Sequence, residues 1–345
     1  MTTSHWWSPQ FHADRQLLLQ QRNRIKSAIR AHLEHSGFTE VECGVLVNSP
    51  GNEAHLHAFS TQLVSPGGEV RTLFLHTSPE FAAKKLLTAG ESKIFEFARV
   101  FRNRERGALH APEFTMLEWY RAHEPYEVVQ EDSVALLRLA AELAGTRQLS
   151  YRDCTCDPFA EAERLTVAQA FTHHAGIDLL ATLTPQGVGE RNVFAAKARR
   201  AGFAVTDNDN WSDIFSKVLV AAVEPRLGRD KPTLLVEYPR CEATLARATA
   251  HDPRLAERFE LYACGVELAN GFGELTDADE QRARFEAEMV EKQKIYGERY
   301  PLDEDFLEAL GTMPPASGVA LGFDRLVMLA TGAPHIDMVL WTPSP

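Results

Sequence analysis

Four cationic side chains crowd one short stretch of this chain, Arg102, Arg104, Arg106 and His110, and a carboxylate, Glu118, follows within an apolar run. The run from Phe114 to Tyr120 has strand character, and strand side chains point to opposite faces at each step. Phe114, Met116, Glu118 and Tyr120 therefore share one face, with Thr115, Leu117 and Trp119 on the other. A face bearing an aromatic plate, a carboxylate and a phenol, fed by an arginine-rich loop, suits a charged nucleotide together with an amine-bearing small molecule. Core packing gives no reason to place Glu118 there. The competing reading is an amphipathic hairpin with a solvated charged tip.

A second set of acids lies between residues 258 and 275. Cys264-Gly265 has the form of a two-residue hairpin turn, with glycine meeting the positive-φ requirement. Cross-strand partners then have numbers summing to an odd value, so Glu260 and Glu267 share a face as diagonal neighbours, roughly 7–8 Å apart at Cα. Two such carboxylates repel unless a cation joins them. Magnesium takes one or two carboxylates together with substrate phosphates; two exposed glutamates on a solvated sheet face are the alternative. Glu274 adds another acid close by. In a third stretch, Ser317 to Leu329, small residues admit a ligand or another backbone before a helical pattern begins at Asp324. Arg325 falls in the first turn of that helix, where the dipole opposes a cation and a bound anion would give it a reason.

The elements that must hold these residues follow from periodicity and punctuation. Residues 13–36 are helical, with Leu18, Ile25, Ile29 and Leu33 at helical spacing and Gly37 as a stop. Strands are expected at 40–47, 72–76 and 93–103. Thr77-Ser78-Pro79-Glu80 supplies a cap and a proline at the first helical position before FAAKKLL. Residues 125–255 look mostly helical or irregular, strands return from Arg258, and helices dominate from Asp279 to about Gly311. Strands at both ends around a helical middle indicate an α+β fold, a mainly antiparallel sheet flanked by helices. The expected organisation is one domain over residues 1–345 with an insertion at about 125–255.

With 345 residues and 44% hydrophobic content the chain can bury a large core. A net charge of −12 argues against a protein that coats nucleic acid. The five cysteines are scattered, and only Cys154-x-Cys156 is close-spaced, so free thiols in a reducing compartment are expected rather than a zinc site. His55-x-His57 lacks acidic companions and is not expected to bind metal. MTTSHWWSPQ has no basic region followed by an apolar core, and no apolar run approaches the ~20 residues of a membrane span. A cytoplasmic protein without membrane attachment is expected.

Together, HAPEFTMLEWY, ELANGFGELTDA and GVALGFDRLVML resemble motif 2, the acidic strand pair and motif 3 of class II aminoacyl-tRNA synthetases in their lysyl version. Residues 36–49 correspond to motif 1, usually a dimerisation element, and the resemblance spans roughly residues 14–340. Motif 1 arrives by about residue 40, leaving no room for the anticodon-binding barrel of a bacterial lysyl-tRNA synthetase. The chain thus resembles the truncated paralogue family that ligates (R)-β-lysine onto a lysine of elongation factor P, and Ala320, where the synthetases usually have glycine, agrees with that.

The resemblance implies ATP and Mg2+, adenylation of (R)-β-lysine or lysine, and transfer to elongation factor P, with tRNA disfavoured and a homodimer expected. It implies Arg102 and Arg325 as catalytic cations. It places ATP on Arg102, Asn103, Arg104, His110, Phe114, Glu260, Leu261, Gly322 and Arg325, with Phe114 stacked on the adenine and Arg325 on the adenine's other face. The substrate falls to Ser78, Pro79, Glu80, Glu118, Tyr120, Glu267, Glu274 and Ala320, and the metal to Glu260 and Glu267. Three positions depart from the pattern. Gly44 replaces the motif 1 proline, Arg104 replaces the glutamate after Arg-Asn with Glu105 displaced one place along, and Ala111 replaces the asparagine of HNPEF. The alternatives are a lysyl-tRNA synthetase-like enzyme that acts on tRNA or makes diadenosine polyphosphates, and a non-catalytic amino-acid-binding regulatory paralogue.

Overall fold

The computed structural model describes residues 5–344; the first four residues of the N-terminal stretch read for a leader lie outside the described residues. The main sheet has eight strands: β1 (Thr39–Glu40), β2 (Lys93–Phe101), β3 (Glu113–Ala122), β4 (Glu163–Thr166), β5 (Thr233–Pro239), β6 (Leu255–Ala263), β7 (Val266–Gly273) and β8 (Ala316–Gly322). Their order is β1-β2-β3-β8-β7-β6-β5-β4. Every pairing from β2 to β5 is antiparallel, and only the edge strands β1 and β4 join in parallel.

Helix α1 (Pro9–His35) starts a turn earlier than its apolar spacing suggests, at a proline that forfeits no hydrogen bond in the first turn. It buries Leu19, Ile25, Ile29 and Leu33. With α3 (Tyr126–Ala144) and α9 (Phe323–Thr331) it covers one sheet face, where Leu117 and Trp119 of β3 meet Leu261, Val319 and Leu321. The opposite face receives Ile94, Tyr120 and Ala316 against α2 (Glu80–Thr88), α8 (Glu304–Leu310) and Phe285 of α7 (Ala278–Tyr296). The alternation expected along β3 therefore holds. A satellite core forms from α4 (Val167–Ala175), α5 (Arg191–Arg200) and α6 (Trp211–Val218) against Leu235 and Tyr238 of β5.

Several elements differ from the sequence expectation. Residues 125–255, expected to be mostly helical or irregular, also build the main sheet and core: α3 packs in the main core, β4 and β5 extend the main sheet, and Leu149–Tyr151 pairs with Cys154–Cys156. Strand β5 is buried along nearly its whole length. It therefore has the continuous apolar pattern that periodicity cannot separate from a buried helix. The expected strand at 40–47 breaks in two, Leu46–Val47 joining a small sheet with Ser60–Val64 and Val70–Leu75. Helix α2 begins at Glu80 rather than Pro79.

The turn at Cys264-Gly265 forms as expected, with φ of 54° and 70°. Two pairs beyond it the register slips. Tyr262 faces Glu267, but Leu261 faces Ala269 and Glu260 faces Asn270. Leu268 is the extra residue of a β-bulge.

Candidate active site

A cavity of about 320 Å³ opens on the face of the sheet that carries Phe114, Met116 and Glu118. Cross-strand register aligns Glu118 with Ala320 and Ala320 with Asn270, so one row across β3, β8 and β7 forms its floor. The bulge sends two consecutive side chains, Leu268 and Ala269, into the core behind the sheet, and so returns Asn270 to the face that carries Glu267. One end is cationic. Arg325 is fixed by three donations: Nε to the Leu109 carbonyl at 3.2 Å, Nη1 to the Glu267 carbonyl at 2.9 Å and Nη2 to His110 Nε2 at 2.7 Å. Burial, reinforced by the neighbouring Arg325 charge, lowers the His110 pKa, so the imidazole is held neutral and accepts that bond. Arg102 donates from Nε to the Thr77 carbonyl at 3.4 Å, and its guanidinium lies 5.4 Å from the Phe114 ring centre. The helix bearing Arg325 is anchored through Asp324, which pairs with Arg22 of α1 and accepts the Thr115 N–H at 2.7 Å.

The other end is anionic. Glu118 accepts from Ser78 Oγ at 2.5 Å and from Tyr120 OH at 2.8 Å. Burial and then the Glu80 charge nevertheless push its pKa up to about 8. Lys84, 1% exposed, reaches Glu80 Oε1 and Glu274 Oε2, each at 2.6 Å. Burial raises the Glu274 pKa to about 7 even against the Lys84 charge. Phosphate-seeking cations and ammonium-seeking carboxylates thus occupy opposite ends of one cavity, the division expected of a site that joins ATP to a diamino acid.

Comparison with known proteins decides the family. The model of the tRNA synthetases class II (D, K and N) family matches residues 9–344. Elongation factor P–(R)-β-lysine ligase of Haemophilus influenzae (strain PittGG) is 39% identical over 343 residues, 99% of this chain and 98% of that protein. The proteins of the same name from Haemophilus ducreyi and Yersinia enterocolitica are each 39% identical, covering 97% and 94% of this chain and 95% and 94% of their own. The chain belongs to this ligase family.

Within that family frame, the structure brings most of the expected residues together. Ser78, Glu80, Arg102, His110, Phe114, Glu118, Glu267, Ala320, Gly322 and Arg325 all line the cavity. Tyr120 and Glu274 stand behind the wall instead, with Gly318 between them; a Cβ there would collide with both. Pro79 caps α2 and borders a smaller adjoining cavity. Leu261 is fully buried on the core side of the sheet. Asn103 Oδ1 accepts the Arg104 N–H at 2.9 Å, outside the cavity.

Arg104 also leaves the site. Its φ of 65° turns the chain, and its guanidinium donates to Glu298 at 2.5 Å and lies over Tyr296. That left-handed residue absorbs the one-place displacement of the glutamate in this sequence, because Glu105 then lines the cavity. Ala111 is buried in the wall. His55 and His57 are spent on Tyr296 and Glu298, and the cysteines are free thiols.

Sequence reasoning missed Glu53, Asn270 and Lys84. Glu53 lies in a loop bounded by glycine and asparagine with no periodicity to aim it. Asn270 reaches the floor only because of the bulge. Lys84 resembled a solvated lysine of a short helix, and its one signal was a cation four residues after Glu80.

Proposed function

We propose that this chain activates (R)-β-lysine or lysine with ATP as an acyl-adenylate and transfers the acyl group to the ε-amino group of a lysine on elongation factor P. The observation that carries this reading is the bipolar cavity, cations at one end and buried carboxylates at the other. The names of its relatives, which cover nearly the whole chain, support it. The substrate carboxylate attacks the α-phosphorus in line, the P–O bond to the β-phosphate breaks, and pyrophosphate leaves. Arg102 and Arg325 would hold the phosphate charge as it shifts. The acceptor amine then attacks the acyl carbon and AMP departs. Glu118 and Glu80 would pair with the substrate's amino groups. The methyl of Ala320, facing Glu118 across the strands, fills space beside them.

Magnesium fits the donor set. Glu267 lines the cavity with its carboxylate 3.8 Å from Arg325, whereas both oxygens of Glu260 accept bonds, from Arg258 and from Tyr262, at 2.7 Å each. Glu267, backed by Glu260, would hold the ion, which supplies charge neutralisation on the triphosphate. Among the described residues no cluster of three or more metal-ligating side chains occurs, consistent with an ion held largely by phosphates. A homodimer through the motif 1 region is part of the same proposal, supported by exposed Leu46, Leu63, Val64 and Val70 on the small sheet. No described helix is long and apolar enough to cross a membrane.

Intact-mass analysis of elongation factor P after incubation with the enzyme, ATP and each lysine isomer tests the reading. An acyl-lysine adduct is expected, and no adduct with any isomer refutes it.

A further inference from the structure

The second chemical step makes a demand that the residues assigned above leave unmet. An acceptor lysine arrives as an ammonium, with an ordinary pKa near 10.4, and must lose a proton before its nitrogen can attack. Glu118 and Glu80 are assigned to the bound amino acid, Glu267 to the metal, and Glu105 lies on the arginine-bearing loop.

Glu53 remains. It lines the main cavity and, with Ser78 and Glu80, also lines the adjoining cavity of about 80 Å³. Its backbone is clamped on both sides: Asn52 Nδ2 donates to the Pro301 carbonyl at 3.3 Å, the Ala54 N–H donates to Glu288 at 2.9 Å, and Lys292 donates to the Ala54 and Leu56 carbonyls at 2.9 and 2.6 Å. The Glu53 carboxylate itself has no hydrogen-bond or ion-pair partner among the described residues. A rigidly held acid with its oxygens uncommitted, facing the arginine that would grip the adenylate phosphate, has the placement of a general base.

We propose that Glu53 is the catalytic base of the transfer step. This rests on the adenylate reading above. Glu53 takes one proton from the acceptor ammonium, and the freed nitrogen pair forms the C–N bond at the acyl carbon. The acyl C–O bond breaks, AMP leaves with the electron pair, and the second nitrogen proton passes to the departing phosphate or to water. The charged groups facing Glu53 are Arg102, Glu80 of α2, Arg258 of β6, and Glu288 and Lys292 of α7. Burial raises its pKa to about 7 against the pull of Arg102 and Arg258, with Glu80 and Glu288 adding to the rise. That is close to the operating range of an effective base.

The experiment compares wild type with Glu53→Gln and Glu53→Asp. Enzyme, ATP and lysine are preloaded with pyrophosphatase, then mixed with elongation factor P, and single-turnover adduct formation is followed by mass between pH 6 and 9. ATP–pyrophosphate exchange and trapping by hydroxylamine, an already neutral nucleophile, run in parallel. For Glu53→Gln, exchange and hydroxamate formation should stay within about threefold of wild type while transfer falls roughly 10²-fold or more. The wild-type rise through about pH 7 should be replaced by a steady rise to pH 9, and Glu53→Asp should recover part of the rate. Unchanged transfer, or an equal loss of exchange and transfer, overturns the proposal. If wild type forms hydroxamate but no protein adduct, the acceptor assignment fails instead. The same comparison with n-butylamine as acceptor then decides the role of Glu53.

Discussion

Replacing Lys84 by methionine keeps a similar volume but removes the one cation that lies 2.6 Å from both Glu80 and Glu274. Losing one partner of a buried ion pair costs about 3–5 kcal/mol, because the remaining charge is left uncompensated. The unfolding entropy of roughly 2.1 cal/mol/K per residue, taken over 345 residues, gives about 0.7 kcal/mol/K, so Tm should fall by ~4–7 °C. The penalty should also depend on pH. The Glu274 pKa is raised by burial to about 7 with Lys84 present, and without Lys84 it should climb further. A carboxyl with a raised folded pKa contributes stability that is fully present below its unfolded pKa near 4.5 and is lost as pH rises through the folded value. In wild type that loss is complete above about 7; in the variant it continues at higher pH. Urea unfolding should therefore show a larger difference between the two proteins at pH 8.5 than at pH 6, with unchanged m. The double variant Lys84→Met/Glu274→Gln should regain part of the stability, since its orphaned charge is gone. A penalty below about 1 kcal/mol at pH 8.5, or one independent of pH, would refute the pairing argument.

Arg102→Ala should lower ATP–pyrophosphate exchange by at least roughly 10²–10³-fold, the scale of removing one donor from a charge-stabilising site; substantial residual exchange would reject its role. Because Glu118 must be ionised to pair with an ammonium and titrates at about 8, lysine affinity measured calorimetrically should rise about tenfold per pH unit up to about 8 and then level. Glu118→Gln should flatten that profile. Arg104→Ala should leave the KM for ATP within about threefold, since its side chain is half exposed and paired outward with Glu298. Glu105→Ala, which alters the cavity wall, should raise it more; the reverse order would show that Arg104 folds inward around nucleotide. Gly318→Ala should cost about 1–3 kcal/mol in urea unfolding through overpacking against Tyr120 and Glu274; a neutral result would mean that the two side chains separate easily.

The parts of the site legible in the sequence are those where alternation leads directly to facing. Phe114, Met116 and Glu118 lie on a regular strand paired without interruption to β2, and from Met116 onward to β8 as well, so their common face followed from spacing alone. The facing of Glu260 and Glu267 also survived, because the bulge lies beyond the Tyr262–Glu267 pair. What the bulge changed was invisible: one inserted leucine in an apolar run leaves no compositional trace, yet it puts Leu268 and Ala269 together in the core and brings Asn270 round to the cavity. Glu53 was hidden because loop residues are aimed by distant clamps, here Pro301, Glu288 and Lys292. Motif resemblance could align Arg104 with its counterparts, but not show a left-handed residue ejecting that side chain and admitting its neighbour. Strand β5 escaped notice because full burial erases the polar alternation that marks a strand.

The junction between Arg22 and Asp324 also bears on how the molecule comes into being. These partners are 302 positions apart, and at synthesis rates of roughly 5–20 residues per second the interval between them is about 15–60 s. Throughout that time α1 carries an arginine destined for burial with no counter-charge to receive it, so its docking waits for α9 to emerge. The same late carboxylate fixes the start of the helix that aims Arg325. The nascent protein therefore cannot assemble the cationic end of its cavity until residues 324 and 325 have been made, long after the helix that anchors them.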